Sequence, residues 1–179
     1  PFTTSALQQT ASNELKLSPK DTMACCQKLY EGGYITYMRT DSTTYSKEFI
    51  ESAEIFIQET YGDEYVSKNI KSLSERKEEK KPKKSKKKEA EVPASQEAHE
   101  AIRPTDINCL EVDEEMTNRE KKLYKLIREN TLESCMSPAT YKAITTTITA
   151  PFEHNYKYST EQVVFPGWKV VGGYEAENP

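Results

Sequence analysis

This chain has no stretch of apolar residues long enough to span a membrane as a helix and no charged-then-apolar leader, so neither a membrane-spanning helix nor a secretory signal is expected from these residues. Its four cysteines, Cys25, Cys26, Cys109 and Cys135, form no C-x-x-C pair and no zinc-finger spacing. Reduced thiols in a cytoplasmic protein are the expectation, with Cys25 and Cys26 inside a helical pattern. Apolar residues make up only 35% of the 179, lean for a globular fold. Net basic charge is lacking as well. Nine of the 25 Lys and Arg, but only four of the 29 Asp and Glu, lie between Arg76 and Glu91. The remainder, 16 basic against 25 acidic residues, is clearly acidic. That balance argues against a broad electrostatic clamp on duplex DNA and leaves room for a few well-placed phosphate contacts. The chain opens on Pro1 without a methionine and stops at Pro179 just past a strand-like run, which reads as a fragment of a longer protein.

What is present divides into a helical part and a strand-rich part, an α+β class. Thr3 and Thr4 suit the N-cap of a helix through about Lys16, with Leu7, Ala11 and Leu15 in one stripe. Ser18-Pro19 with Asp21 opens a second helix, and Gly32-Gly33 closes it. Its apolar face uses Met23, Cys26, Leu29 and Tyr30. Two short helices, a tight turn and an extended segment over Tyr34–Met38 suggest a helix-turn-helix with a small wing. A third helix is expected over Lys47–Tyr61, with Ile50, Ala53 and Ile57 inward. The stretch from Lys68 to Ser95, with its lysine run, reads as a flexible loop or insertion. Helical character resumes over Gln96–Ile102 and halts at Arg103-Pro104. T-N-R-E at Thr117–Glu120 is a capping box opening a long helix to about Met136. Tyr141–Thr149 then alternates as a strand with one exposed face. Lys157–Phe165 and Trp168–Val171 read as further strands. Residues 1–138 and 139–179 are the expected domains.

Two motifs carry chemistry. Y-I-T-Y-M-R-T-D-S, Tyr34 to Ser42, places Tyr37 two residues before Arg39 on an extended segment, where alternate side chains share a face. A phenol can attack a phosphodiester, although a free phenol has a pKa near ~10 and needs proton removal or a neighbouring cation. A guanidinium fork offers that cation and can hold the charge developing on phosphorus. In Q-E-A-H-E-A-I-R-P-T, Gln96 to Thr105, His99 could add a proton-sensitive phosphate contact. Arg103 is a second candidate for phosphate, or a pin for the helix end. Asp41 and Ser42 read as caps, and His154 has no local partner.

Taken in order, P-F-T-T-S-A-L-Q-Q-T-A-S, L-Y-E-G-G-Y-I-T-Y-M-R-T-D-S, Q-E-A-H-E-A-I-R-P-T, L-Y-K-L-I-R-E-N-T-L-E-S-C-M-S-P-A-T-Y and F-P-G-W-K-V resemble the type IA DNA topoisomerases of the bacterial topoisomerase I kind. The resemblance covers nearly the whole chain outside the lysine-rich stretch. It implies that Tyr37 is the covalent nucleophile, that Arg39 positions the scissile phosphate and that His99 lies near the active site. It implies a helical tyrosine domain leading into a β-rich arch. It further implies transesterification through a 5′-phosphotyrosine, without ATP, on single-stranded and negatively supercoiled DNA, by an intact enzyme that is a monomer. The family's acidic metal site, with its D-x-D motif, does not occur in this sequence, nor do its zinc-binding repeats. No cofactor is therefore expected here, Mg2+ is implied for the intact enzyme, and this chain alone is expected not to relax DNA. A winged-helix-type DNA-binding module with a structural Tyr37 is the competing reading. A tyrosine recombinase or type IB enzyme fits poorly, because here the tyrosine precedes the histidine.

Overall fold

A computed structural model describes residues 1–75, 100–152 and 154–174. Helix α1 spans Thr4–Leu15, with the Thr3 hydroxyl accepting from the Ala6 amide at its N-cap. A three-residue link leads to α2, Pro19–Glu31, whose N-cap Ser18 accepts from the Asp21 amide while proline occupies the first turn. α3 runs Lys47–Thr60 from the N-cap Ser46, and Phe49, Ile50, Ala53 and Ile57 form its buried face. α4, Asn118–Cys135, begins where the Thr117 amide donates to Glu120 Oε2 at 2.7 Å. Strands β1, Thr140–Thr149, and β2, Asn155–Phe165, pair antiparallel, and a 3-10 helix follows over Gly167–Gly172. The fold class is α+β.

The long helix α4 serves two cores. Its N-terminal half, through Leu123, Tyr124 and Ile127, packs with Leu7 and Ala11 of α1 and with Cys26 and Leu29 of α2. Its C-terminal half, through Leu132 and Cys135, packs with Ile50, Ala53 and Ile57 of α3. Fully burying each aliphatic side chain contributes on the order of 1.5–3 kcal/mol, so these clusters hold the helices together. The two glycines ending α2 do different things. Gly33 has φ +77°, which an L side chain rarely adopts, and its amide donates to the Tyr30 carbonyl. Gly32 keeps right-handed angles, but a Cβ there would lie 2.9 Å from the Tyr34 ring.

Six sequence expectations need correction. The expected flexible insertion over 68–95 does not begin at 68: Ile70–Ser74 is a 3-10 helix with Ile70 buried in the second core, and the Tyr45 amide donates to the Leu73 carbonyl, while 76–99 lies outside the described residues. Tyr30, expected on the apolar face of α2, is exposed. Glu100, Ala101 and Ile102, the described end of the expected 96–102 helix, are extended instead. Ala101 belongs to the second core and Ile102 to the first, a split that suits extended backbone, whose successive side chains point to opposite faces. Trp168–Val171 is not a strand but part of the 3-10 helix. Pro166 starts that turn, and Gly167, φ +52°, lies so close to Ser137 and Pro138 that a Cβ would overlap their backbone. The Tyr34–Met38 segment has a single bridge, Ile35 to Pro104, rather than a strand's ladder. Finally, β1 is exposed along its whole length, not on one face only.

Candidate active site

Three non-helical segments meet between the two cores: Phe2–Thr3, at the start of α1, Tyr34–Thr44 and Glu100–Thr105. Backbone bonds run from Ile102 N to Phe2 O, from Ala101 N to Thr44 O and from Thr105 N to Tyr34 O, all 2.8–3.0 Å. Two threonines close the remaining gaps. The Thr36 amide donates to the Arg103 carbonyl, and its hydroxyl donates to the Ala101 carbonyl and accepts from the Arg103 amide, at 2.9–3.0 Å. The Thr4 hydroxyl donates to the Met38 carbonyl at 2.7 Å and accepts from the Thr40 amide at 2.9 Å. The Thr4 amide donates to the Thr40 carbonyl at 3.0 Å. Tyr37 and Arg39 thus sit on backbone stapled on both sides.

Burial then sorts the side chains. Ile35 and Met38 are buried in the first core, while Tyr37, 46% exposed, and Arg39 face outward on either side of Met38. Among the described residues neither the Tyr37 hydroxyl nor the Arg39 guanidinium has a hydrogen-bond or ion-pair partner, so both are available to a ligand.

The other tyrosines nearby are otherwise employed. Burial pushes the Tyr45 phenol well up, and its hydroxyl pairs with Ser134 Oγ at 3.0 Å. Burial also raises Tyr124, whose hydroxyl donates to the Cys109 carbonyl at 2.7 Å. Hydrogen bonding with Asp113 raises Tyr34, whose ring lies edge-on to Tyr124 with centroids 6.0 Å apart. Only Tyr30 stands exposed beside Tyr37. The two rings form an edge-to-face pair, centroids 5.3 Å apart at 65°.

Arg103 has its donors engaged. Its Nε and Nη2 fork onto the two Glu100 carboxylate oxygens at 2.6 and 3.1 Å, and Nη1 donates to the Pro104 carbonyl at 3.0 Å. Its guanidinium carbon lies 4.2 Å from the Phe49 ring centroid. Arg103 therefore ties the 100–105 segment to the start of α3. His99 lies outside the described residues. Among the described residues no three His, Cys, Asp or Glu gather as a metal site. Sequence reasoning missed Thr4, Thr36 and Tyr30. The threonine contacts cross 34 to 67 positions of chain, and no local pattern signals them.

The whole chain, residues 1–179, matches the family model described as DNA topoisomerase. It is 43% identical over 172 residues to DNA topoisomerase 1 of Buchnera aphidicola from Acyrthosiphon pisum, covering 96% of this chain and 18% of that protein. The Haemophilus influenzae DNA topoisomerase 1 is 41% identical over 180 residues, covering 100% of this chain and 19% of the relative. The structure of full-length topoisomerase I from Thermotoga maritima superposes with a TM-score of 0.75 at 32% identity, over 100% of this chain and 28% of that one. The chain thus spans about a fifth of the length of these two sequence relatives. With a family model matched end to end and a solved relative sharing its fold, this chain belongs to the DNA topoisomerase family.

Proposed function

We propose that this chain is the tyrosine-bearing part of a type IA topoisomerase, cutting and resealing one DNA strand by transesterification. The observation that carries the reading is the exposed pair Tyr37 and Arg39 on backbone held by the buried Ile35 and Met38 and by the Thr4 and Thr36 staples. Tyr37 Oη attacks phosphorus, forming a 5′-phosphotyrosyl ester as the 3′-oxygen leaves. The freed 3′-hydroxyl later attacks the same phosphorus and expels Tyr37. Each step trades one phosphoester for another, so no ATP is consumed. Arg39 grips the non-bridging oxygens as charge builds on them. His99 is the proposed second phosphate contact. Arg103, with its donors engaged by Glu100 and Pro104, we assign to holding the segment that follows His99.

Substrates on this reading are single-stranded DNA and the unpaired regions of negatively supercoiled DNA, relaxed by a cytoplasmic, monomeric enzyme. Among the described residues no group of His, Cys, Asp or Glu fits a Mg2+ site. Its ligands are assigned to another part of the polypeptide, and the 179-residue chain alone is expected to bind single strands weakly without relaxing DNA.

The test mixes the full-length polypeptide carrying these residues with labelled single-stranded DNA and denatures rapidly. A covalent adduct to the 5′ end at the break is expected. Tyr37→Phe abolishes it, and Arg39→Ala slows its formation on the order of a hundredfold. An undiminished adduct in Tyr37→Phe would eliminate Tyr37 as the nucleophile, and no adduct in the unmutated protein would favour the winged-helix reading, in which Tyr37 is structural.

A further inference from the structure

We infer that Tyr30 is a positioning residue for Tyr37, an inference that rests on the transesterification reading above. In-line attack needs the phenol oxygen on a narrow trajectory. The staples hold the backbone of Tyr37 but leave its ring, 46% exposed, to rotate about two side-chain torsions. Among the described residues the one aromatic ring packed on it is Tyr30, at 5.3 Å and 65°, in the edge-to-face geometry that aromatic quadrupoles favour.

Tyr30 is itself held where it can do this. Its neighbour Leu29 is fully buried, and the Tyr30 carbonyl accepts from the Gly33 amide while the Leu29 carbonyl accepts from the Tyr34 amide. The left-handed Gly33 turns the chain back so that the last turn of α2 lies alongside the tyrosine segment. Two exposed aromatic rings would ordinarily be separately solvated. Here a rigid turn presents one to the other, which restricts the nucleophile without burying it. The contact needs a ring at position 30 and makes no use of its hydroxyl.

Single-turnover cleavage of labelled single-stranded DNA by the full-length polypeptide, with affinity measured separately by fluorescence anisotropy, tests this. At saturating DNA, Tyr30→Ala and Tyr30→Leu lower the rate of adduct formation roughly three- to tenfold, the range expected for one aromatic pair, with dissociation constants unchanged. Tyr30→Phe restores the rate. Wild-type cleavage rates in both Tyr30→Ala and Tyr30→Leu overturn the inference and leave the function standing. So does weakened DNA binding with an unchanged saturated rate, which would make Tyr30 a base-stacking contact. A Tyr30→Phe variant as slow as Tyr30→Ala also overturns it, since the hydroxyl would then be the working group. Absence of any adduct in the unmutated protein, or its persistence in Tyr37→Phe, overturns the parent reading instead.

Discussion

The segment from Tyr34 to Thr44 and the β1–β2 hairpin both lie outside the helices and are held in opposite ways. The hairpin has ten paired positions, in regular register from Tyr141 to Thr149 after a bulge between Thr140 and Tyr141, and no buried side chain among its described residues. The tyrosine segment has one ladder bridge, yet Ile35 and Met38 are almost completely buried and two threonines staple it to distant chain. Regular pairing gives the hairpin its shape. Burial and side-chain staples give the tyrosine segment its place. A site that must aim a side chain at a reacting atom gains more from the second arrangement, because each outward residue is bracketed by anchored ones.

The sharpest way to break this contrast is to remove anchors from each region. Ile35→Ala and Met38→Ala should each destabilise the fold by about 2–5 kcal/mol in urea unfolding, since each leaves a cavity in the first core. Ile148→Ala in the hairpin, on a side chain 55% exposed, should cost no more than about 0.5 kcal/mol. Equal costs at the two sites would show that the hairpin is anchored as firmly as the tyrosine segment.

A smaller effect is expected from a staple. Thr4→Val keeps the shape but deprives the Thr40 amide of its acceptor and the Met38 carbonyl of its donor. About 1–3 kcal/mol should be lost, with faster amide exchange at Thr40 while β1 exchange stays as it was. Unchanged exchange at Thr40 would mean the Thr4 hydroxyl is dispensable to the clamp.

The smallest effect concerns acid. Burial tends to raise the Glu120 carboxyl, but hydrogen bonds from Lys28 and from Thr117 outweigh it and hold the group below its ordinary 4.5. Because the folded value is depressed, its stabilisation is complete above the unfolded value and is lost as pH falls through the folded one. Chemical denaturation between pH 6 and 3 should show the helical body weakening below about pH 4.5, more gently in Glu120→Gln. Identical slopes in the two proteins would remove Glu120 from the account.

Local signals carried much of this protein. Ser18 with Asp21, Ser46, and Thr117 with Glu120 mark helix starts through side-chain chemistry that acts within three residues, and all three helices begin there. The Tyr37-x-Arg39 spacing was legible because alternation along extended chain is likewise local. The 100–102 and 168–171 stretches were misread for the converse reason. Glutamate, alanine and isoleucine favour a helix by themselves, but Ala101 and Ile102 are claimed by different cores. Tryptophan and paired valines favour a strand, but Pro166, Gly167 and the backbone at Ser137 turn them into a 3-10 helix.

By itself, then, the sequence determined helices α1 to α4, their caps, the order of helices before strands and the Tyr37-x-Arg39 spacing. These depend on neighbours within a turn or two of chain. Tertiary structure alone decided that Thr4 and Thr36 staple the tyrosine segment, that Arg103 is spent on Glu100 and the Phe49 ring, and that Tyr30 lies against Tyr37. Each of these is a meeting of surfaces brought together by two hydrophobic cores, and no local rule encodes which distant residue will be there.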